Sequence, residues 1–275
     1  MRVALVQLNA SDDPSGNLPV TRAFVEQAAK AGARFILTPE VTNCVSASRA
    51  RQIEVLRRED EDETLAALRA DAQRLGVWIL VGSLALKQAE GERFVNRSFL
   101  IGRDGEVRAR YDKIHMFDVE ISETETYRES DGYQPGDAAV LSEVDGVPVG
   151  LTICYDLRFP YLYRGMSKAG AKILTVPSAF SPETGAAHWE TLLRARAIET
   201  GSFVLAPAQC GEHRAVQGRS RRTHGHSLVV DPWGRVLADG GDLPGTVMVD
   251  LELSLVDDVR RRLPSLTHER QYKMV

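Results

Sequence analysis

Val3-Ala4-Leu5-Val6-Gln7-Leu8 is a short apolar run that reads as a buried strand. Val20, Phe24 and Ala28 follow at a spacing of four and lead to Gly32, the pattern of a helix closed by a glycine. Phe35-Ile36-Leu37-Thr38 is a second strand, stopped by Pro39. Leu65, Leu68, Ala72 and Leu75 mark another helical face, closed by Gly76, and Val77-Trp78-Ile79-Leu80-Val81 is a third strand. Strand, helix, strand, helix, strand is the signature of an α/β sheet.

Outward from there, Phe94 to Ile101 and Glu106 to Tyr111 flank a Gly102-Arg103-Asp104-Gly105 turn and predict a hairpin. Residues 114–137 show no period and read as a long functional loop. Val147 to Ile153 is again a buried strand. A helix is expected from Tyr161 to Ala169, a strand from Lys172 to Val176 and a helix from Ala186 to Thr200. Phe203 to Ala206, Ser227 to Val230, Arg235 to Ala238 and Thr246 to Leu251 read as further strands. Two strands end on a proline, at Thr38-Pro39-Glu40 and Val176-Pro177-Ser178.

The chain has 275 residues, 43% of them hydrophobic, which is enough for a sizeable core. No linker-like stretch divides it, so residues 1–275 are expected to form one domain. Thirty-four basic residues against 38 acidic ones give a net charge of −4, which argues against a nucleic-acid partner. No run approaches the ~20 apolar residues of a membrane span, and no secretory signal is recognisable at the N-terminus. Cys44, Cys154 and Cys210 are an odd number without a CxxC pair, which fits a reducing, cytoplasmic setting.

Neither GxGxxG nor GxxxxGK[ST] occurs, which weighs against dinucleotide and P-loop enzymes. His224-Gly225-His226 offers two imidazoles without a third ligand nearby, so a hydrogen-bonded pair is the expected reading over a metal site. Cys154 directly follows the strand Val149-Gly150-Leu151-Thr152-Ile153 and precedes Tyr155-Asp156-Leu157-Arg158-Phe159-Pro160. The carboxyl end of a strand faces the crevice where α/β folds bind ligands. On position alone, a nucleophile and a buried structural cysteine are equally open. Glu40 ends the strand Ile36-Leu37-Thr38-Pro39, where apolar neighbours would raise a carboxyl pKa toward that of a general base. Lys113 ends the second strand of the predicted hairpin.

In the order Glu, Lys, Cys, these segments resemble the nitrilase superfamily of carbon–nitrogen hydrolases, and the resemblance runs from Val3-Ala4-Leu5-Val6-Gln7 to Asp231-Pro232-Trp233-Gly234. Ala208-Gln209-Cys210-Gly211 and Gly225-His226-Ser227 are most similar to the branch containing deaminated-glutathione amidase. The resemblance implies an α-β-β-α sandwich, two mixed sheets with helices on the outer faces. It implies Glu40, Lys113 and Cys154 as catalytic residues, with Glu129 supporting the lysine in a loop that also holds Glu120, Glu123 and Glu125. It implies a homodimer or larger, pairing through the helices after Cys154 and near Ala187, with Tyr161, Leu162 and Met166 supplying apolar surface.

These residues allow hydrolysis of a linear carboxamide through a cysteinyl thioester. Lys113 and the Tyr155 backbone N–H would bind the oxyanion. The nucleophile is the protein's own, so no metal or cofactor is called for. The expected substrate is a small anionic amide, an ω-amide of a 2-oxo dicarboxylic acid such as deaminated glutathione. Arg158 lies about one turn past Cys154 if a helix starts there, and would grip the substrate carboxylate or pair internally with Asp156. Phe180 and Thr184 are expected to border the same pocket. The basic run Arg214 to Arg222 is either solvated or attracts an anionic peptide tail. Rival readings are an ω-amidase, an N-carbamoyl-amino-acid hydrolase, a true nitrilase, a papain-type enzyme using His115 or His188, and a non-catalytic binding protein of the same fold.

Overall fold

The computed structural model describes residues 1–122 and 125–275; Glu123, Thr124 and the side chains of residues 121–125 lie outside the description. The first half of the chain forms β1 (Arg2–Gln7), α1 (Pro14–Lys30), β2 (Phe35–Leu37), α2 (Arg49–Val55), α3 (Glu63–Leu75), β3 (Trp78–Lys87), β4 (Phe94–Ile101) and β5 (Val107–Asp112). A ribbon of β6 (Asp118–Ser122) and β7 (Glu125–Arg128) follows, with the short helix α4 (Glu129–Gly132). Next come β8 (Val140–Val144), β9 (Val147–Leu151), α5 (Pro160–Lys168), β10 (Ile173–Thr175), α6 (Pro182–Thr200) and β11 (Phe203–Ala206). After the ribbon β12 (Cys210–His213) and β13 (Arg221–His224), the chain closes with β14 (Leu228–Val230), β15 (Val236–Asp239), β16 (Gly245–Asp250) and α7 (Ser254–Arg262).

Two six-stranded sheets result, ordered β16-β1-β2-β3-β4-β5 and β15-β14-β11-β10-β9-β8. In each, a three-residue strand, β2 or β10, runs parallel to both neighbours, and the outer pairings are antiparallel. Side chains alternate along β1. Val3 and Leu5 enter the core between the sheets, whereas Ala4 and Val6 pack on the opposite face beneath α1 and α3. Burial on both faces explains why the inner strands read as continuous apolar runs. On the second sheet, Leu162, Tyr163 and Met166 of α5 and Leu193 and Ala197 of α6 cover the outer face. The arrangement is the α-β-β-α sandwich.

Local chemistry sets the helix ends. Asp62 caps α3 by accepting from Leu65 N–H at 2.8 Å, and Gly76 closes it at φ 64°. Ser181 caps α6, Pro182 opens it, and Gly201 closes it at φ 56°. Gly82 leaves no room for a side chain. A Cβ there would stand 2.0 Å from Thr38 O, 2.6 Å from Pro39 O and 2.5 Å from Pro177 Cβ. Both strand-ending prolines therefore meet at this glycine.

Several expectations change. The segment 114–137 is not a loop without structure but carries the β6–β7 ribbon and α4. Helix α6 begins at Pro182, four residues earlier than its apolar pattern. Of the three residues expected on an apolar oligomer surface, only Tyr161 is exposed, at 66%; Leu162 and Met166 are buried in the core. Among the described residues, no helix is long and apolar enough to cross a membrane.

Candidate active site

Glu40, Lys113 and Cys154 lie at the ends of elements from both sheets and meet on the wall of one cavity of about 360 Å³. Glu40 follows β2, Lys113 follows β5 and Cys154 follows β9. All three are buried. Lys113 Nζ donates to Glu40 Oε1 at 2.9 Å and to both carboxylate oxygens of Glu129 at 2.9 Å. Phe117 N–H fixes Glu129 Oε2 at 2.6 Å. Glu120 instead pairs at the surface with Arg128, and the competing Glu123 and the Glu125 side chain lie outside the described residues.

Two groups not expected from sequence complete the hold on Glu40. Asn96 Nδ2 donates to Oε1 at 2.9 Å, and the Ala179 N–H donates to Oε2 at 2.9 Å. Burial by itself would raise the Glu40 pKa. The Lys113 charge, then hydrogen bonds from Cys154 and Lys113, outweigh it and hold the carboxyl below its ordinary 4.5. The raised Glu40 pKa expected from its apolar neighbours is thus overturned by the ammonium beside it. Burial also opposes charge on Lys113, but Glu129 and Glu40 hold its pKa well above the usual value. Burial, then the Glu40 charge, pushes the Cys154 thiol up. The resting site therefore holds a neutral thiol beside a carboxylate and an ammonium.

Cys154 adopts φ 51°, a left-handed conformation rarely taken by non-glycine residues. Buried Asp156 braces this turn. It accepts from Ile153 N–H at 2.8 Å, Tyr111 O–H at 2.6 Å and His115 N–H at 3.1 Å. The Cys154 turn is thereby tied to the segment that carries Lys113.

The fold places most, not all, of the expected pocket residues together. Tyr155, Phe180 and Thr184 line the cavity; Arg158 is not among its lining residues. Cys154–Arg158 is a 3₁₀ turn, so four residues rotate Arg158 roughly 120° away from the Cys154 direction. Its guanidinium lies 5.8 Å from the Tyr155 ring and 5.7 Å from the Phe180 ring, and Nη2 is 3.3 Å from His188 Nδ1. Nor does it pair with Asp156. The cations on the cavity wall are Lys113, Arg49, Arg128 and Arg221. Cys44 also lines the cavity, with its thiol pushed up to about 12 by burial.

His115 and His188 are not lining residues either; His115 bonds Asp156 and Tyr161 and stacks on Phe159 at 3.6 Å. His224 and His226 stack at 4.7 Å, and His226 Nδ1 is 3.0 Å from Asp239. Among the described residues, no group of three His, Cys, Asp or Glu side chains could hold a metal ion.

Comparison with known proteins identifies this architecture. The family model described as carbon-nitrogen hydrolase matches residues 2–261. The chain belongs to the carbon-nitrogen hydrolase family. This carbon-nitrogen hydrolase is 40% identical to a deaminated glutathione amidase of Yersinia enterocolitica, over 98% of this chain and 92% of that one. Among solved structures it is similar to the NitFhit protein of C. elegans, with a TM-score of 0.90 and 34% identity. The match covers 98% of this chain and 65% of that longer protein. It is also similar to Nit3 of Saccharomyces cerevisiae, a member of branch 10 of the nitrilase superfamily. That match has a TM-score of 0.86 and 27% identity and covers 99% and 97% of the two chains.

Proposed function

We propose that this carbon-nitrogen hydrolase is a thiol-dependent amidase whose catalytic residues are Glu40, Lys113 and Cys154. The observation that carries this reading is the Lys113 ammonium, held at 2.9 Å from both Glu40 and Glu129 on the wall of the cavity that Cys154 lines. A neutral thiol beside an ionised carboxylate suits general-base attack, in which the proton leaves as the new bond forms.

Glu40 takes the Cys154 proton while the sulfur attacks the amide carbonyl carbon. Lys113 Nζ and the Tyr155 N–H receive the developing oxyanion. Protonated Glu40 then gives its proton to the departing nitrogen, which leaves as an amine and a Cys154 thioester. Water, deprotonated by Glu40, attacks the thioester; the acid departs and the sulfur recovers the proton from Glu40. The sum is amide plus water giving acid plus amine. Glu129 neutralises part of the lysine charge, so that Glu40 remains basic enough to act.

The likeness to deaminated glutathione amidase supports an ω-amide of a 2-oxo dicarboxylic acid as substrate, bound between Phe180 and Thr184. Three free, buried cysteines support a reducing, cytoplasmic setting. Exposed Tyr161 on α5 and Ile198 on α6 support a homodimer through these helices, which light scattering at micromolar concentration would show.

The deciding assay is a panel of amides with product identification, run on the parent and on Cys154→Ala. Deaminated glutathione should yield its 2-oxo acid and a dipeptide, and acid quenching should trap an acylated Cys154 by mass spectrometry. Ammonia with carbon dioxide would mean a carbamoylase, and turnover of nitriles a nitrilase. No acyl-enzyme on any substrate would overturn the mechanism.

A further inference from the structure

Arg221, at the start of β13, is a cavity-lining cation that the proposed mechanism does not use. Its Nη2 donates to Ala179 O at 2.8 Å, while its buried Nε has no hydrogen-bond partner. Among the described residues it pairs with no carboxylate. The other two arginines on the wall are engaged. Arg49 donates to the carbonyls of Gly132 and Glu92 and lies 3.8 Å over the Phe94 ring. Arg128 is half exposed and bound to Glu120 at 2.6 Å. A buried N–H without an acceptor is costly unless a ligand supplies one.

The position of Arg221 says which ligand. Ala179 O accepts from Arg221, and Ala179 N–H donates to Glu40 Oε2. The guanidinium therefore stands one peptide unit from Glu40, and its charge helps keep that carboxyl ionised. Glu40 is the group that hands a proton to the departing nitrogen. Cys154, Glu40 and Arg221 line one cavity, so a leaving group whose nitrogen lies beside Glu40 has Arg221 within the same cavity.

We propose that Arg221 binds the carboxylate of the departing amine, so that the enzyme selects amides whose leaving group is an anionic amino acid or short peptide. The inference rests on the amidase reading and adds the residue that recognises the carboxylate of the leaving group. An Arg fork with a free N–H suits a carboxylate better than a lysine would.

The test holds the acyl part constant. Three 2-oxoglutaramyl amides are compared: one with a dipeptide leaving group, one with the same dipeptide amidated at its C-terminus, and one releasing only ammonia. In the parent, kcat/KM should favour the free carboxylate over the amidated tail. In Arg221→Met that preference ratio should fall by about 30-fold or more, the loss expected when a buried carboxylate keeps no partner. Arg158→Met should move the ratio far less. A ratio in Arg221→Met within about threefold of the parent's overturns the inference, since a lost contact to the tail must change it. Equal losses on all three amides also overturn it, because Arg221 then acts only through Glu40. Calorimetric binding of the two dipeptide amides to Cys154→Ala reads the same preference without turnover. If the parent hydrolyses none of the amides but this preference persists and needs Arg221, the amidase reading fails and the anion site stands; if the preference is absent, both fall.

Discussion

Asn96 Nδ2 donates to the same Glu40 oxygen that Lys113 Nζ reaches, each at 2.9 Å. A neutral donor and a charged donor thus share Oε1, and Asn96, itself buried, has no partner for its own Oδ1 among the described residues. The amide orients the proposed base without adding charge. Asn96→Leu should remove one hydrogen bond to an ionised group, a loss of about 1.5–3 kcal/mol and so roughly 10–10²-fold in kcat. Unchanged kcat in a folded variant would show that Lys113 and Ala179 suffice to orient Glu40.

The Glu40 carboxyl lies below its ordinary value and the Cys154 thiol above its own. The active form, carboxylate beside thiol, is thus lost on acidification only as pH falls through the lowered Glu40 pKa, below 4.5. The profile of kcat/KM should be flat through neutrality, without an inflection near pH 6–7. A sharp limb there, removed by mutating His115 or His188, would favour a Cys–His mechanism instead.

Cys154→Ala should abolish turnover and leave the circular-dichroism spectrum intact. Glu40→Gln should be inactive in both acylation and thioester hydrolysis. Cys210→Ala should retain most activity. Cys44→Ala, although on the cavity wall, should alter KM more than kcat, because its thiol is protonated and no step uses it. Turnover by Cys154→Ala would refute covalent catalysis.

Glu129→Gln should lower kcat by about 10²-fold, the scale of losing one electrostatic element of an oxyanion site. With one carboxylate gone, Lys113 pulls harder on Glu40 and weakens it as a base. Acylation and deacylation, resolved by burst kinetics, should both slow. An effect on KM alone would make Glu129 a binding residue.

His213 is buried, donates from Nδ1 to Ala10 O and accepts at Nε2 from the Thr223 hydroxyl, at 2.7 Å each, and has its pKa lowered to about 4, chiefly by burial. The folded state keeps it neutral while the unfolded chain binds a proton below about pH 6.5. Its contribution is therefore complete above pH 6.5 and is lost as pH falls toward 4, by about 3 kcal/mol at most. Urea midpoints should drop over that window in the parent and less steeply in His213→Gln. Parallel curves would locate the acid sensitivity elsewhere.

The α/β class was legible because the inner strands, such as Phe35–Leu37 and Ile173–Thr175, are buried on both faces and read as apolar runs, whereas the pairing of two sheets into a sandwich came only from the family resemblance. Glu40 and Cys154 stood out because each lies just past a buried strand; Lys113 follows the half-exposed strand β5, and only the order Glu, Lys, Cys and its likeness to a family joined the three. The strands Asp118–Ser122 and Glu125–Arg128 were not legible, because their polar sequence carries no apolar period. Arg158 was misplaced because spacing alone cannot distinguish a 3₁₀ turn from an α-helix. Asn96 looked like any strand residue; that its amide points at Glu40 depends on how β4 registers with β5, with Arg97 opposite Asp112. Arg221 was hidden among four arginines between residues 214 and 222, and only its pairing across β12–β13 separates it from its solvated neighbours.

At Gly82 the segments that follow β2 and β10 pack against β3, with Thr38, Pro39 and Pro177 all closer than a side chain would permit. Glu40 comes from one side of that junction and Cys154 from the other. The catalytic distance is thus also a gauge of how well two halves of the molecule are clamped. On gradual heating, a slight parting of the sheets will silence the enzyme while every strand and helix is still formed. Activity will therefore vanish at a lower temperature than the far-ultraviolet signal, and the interval between the two will measure the stiffness of this single junction.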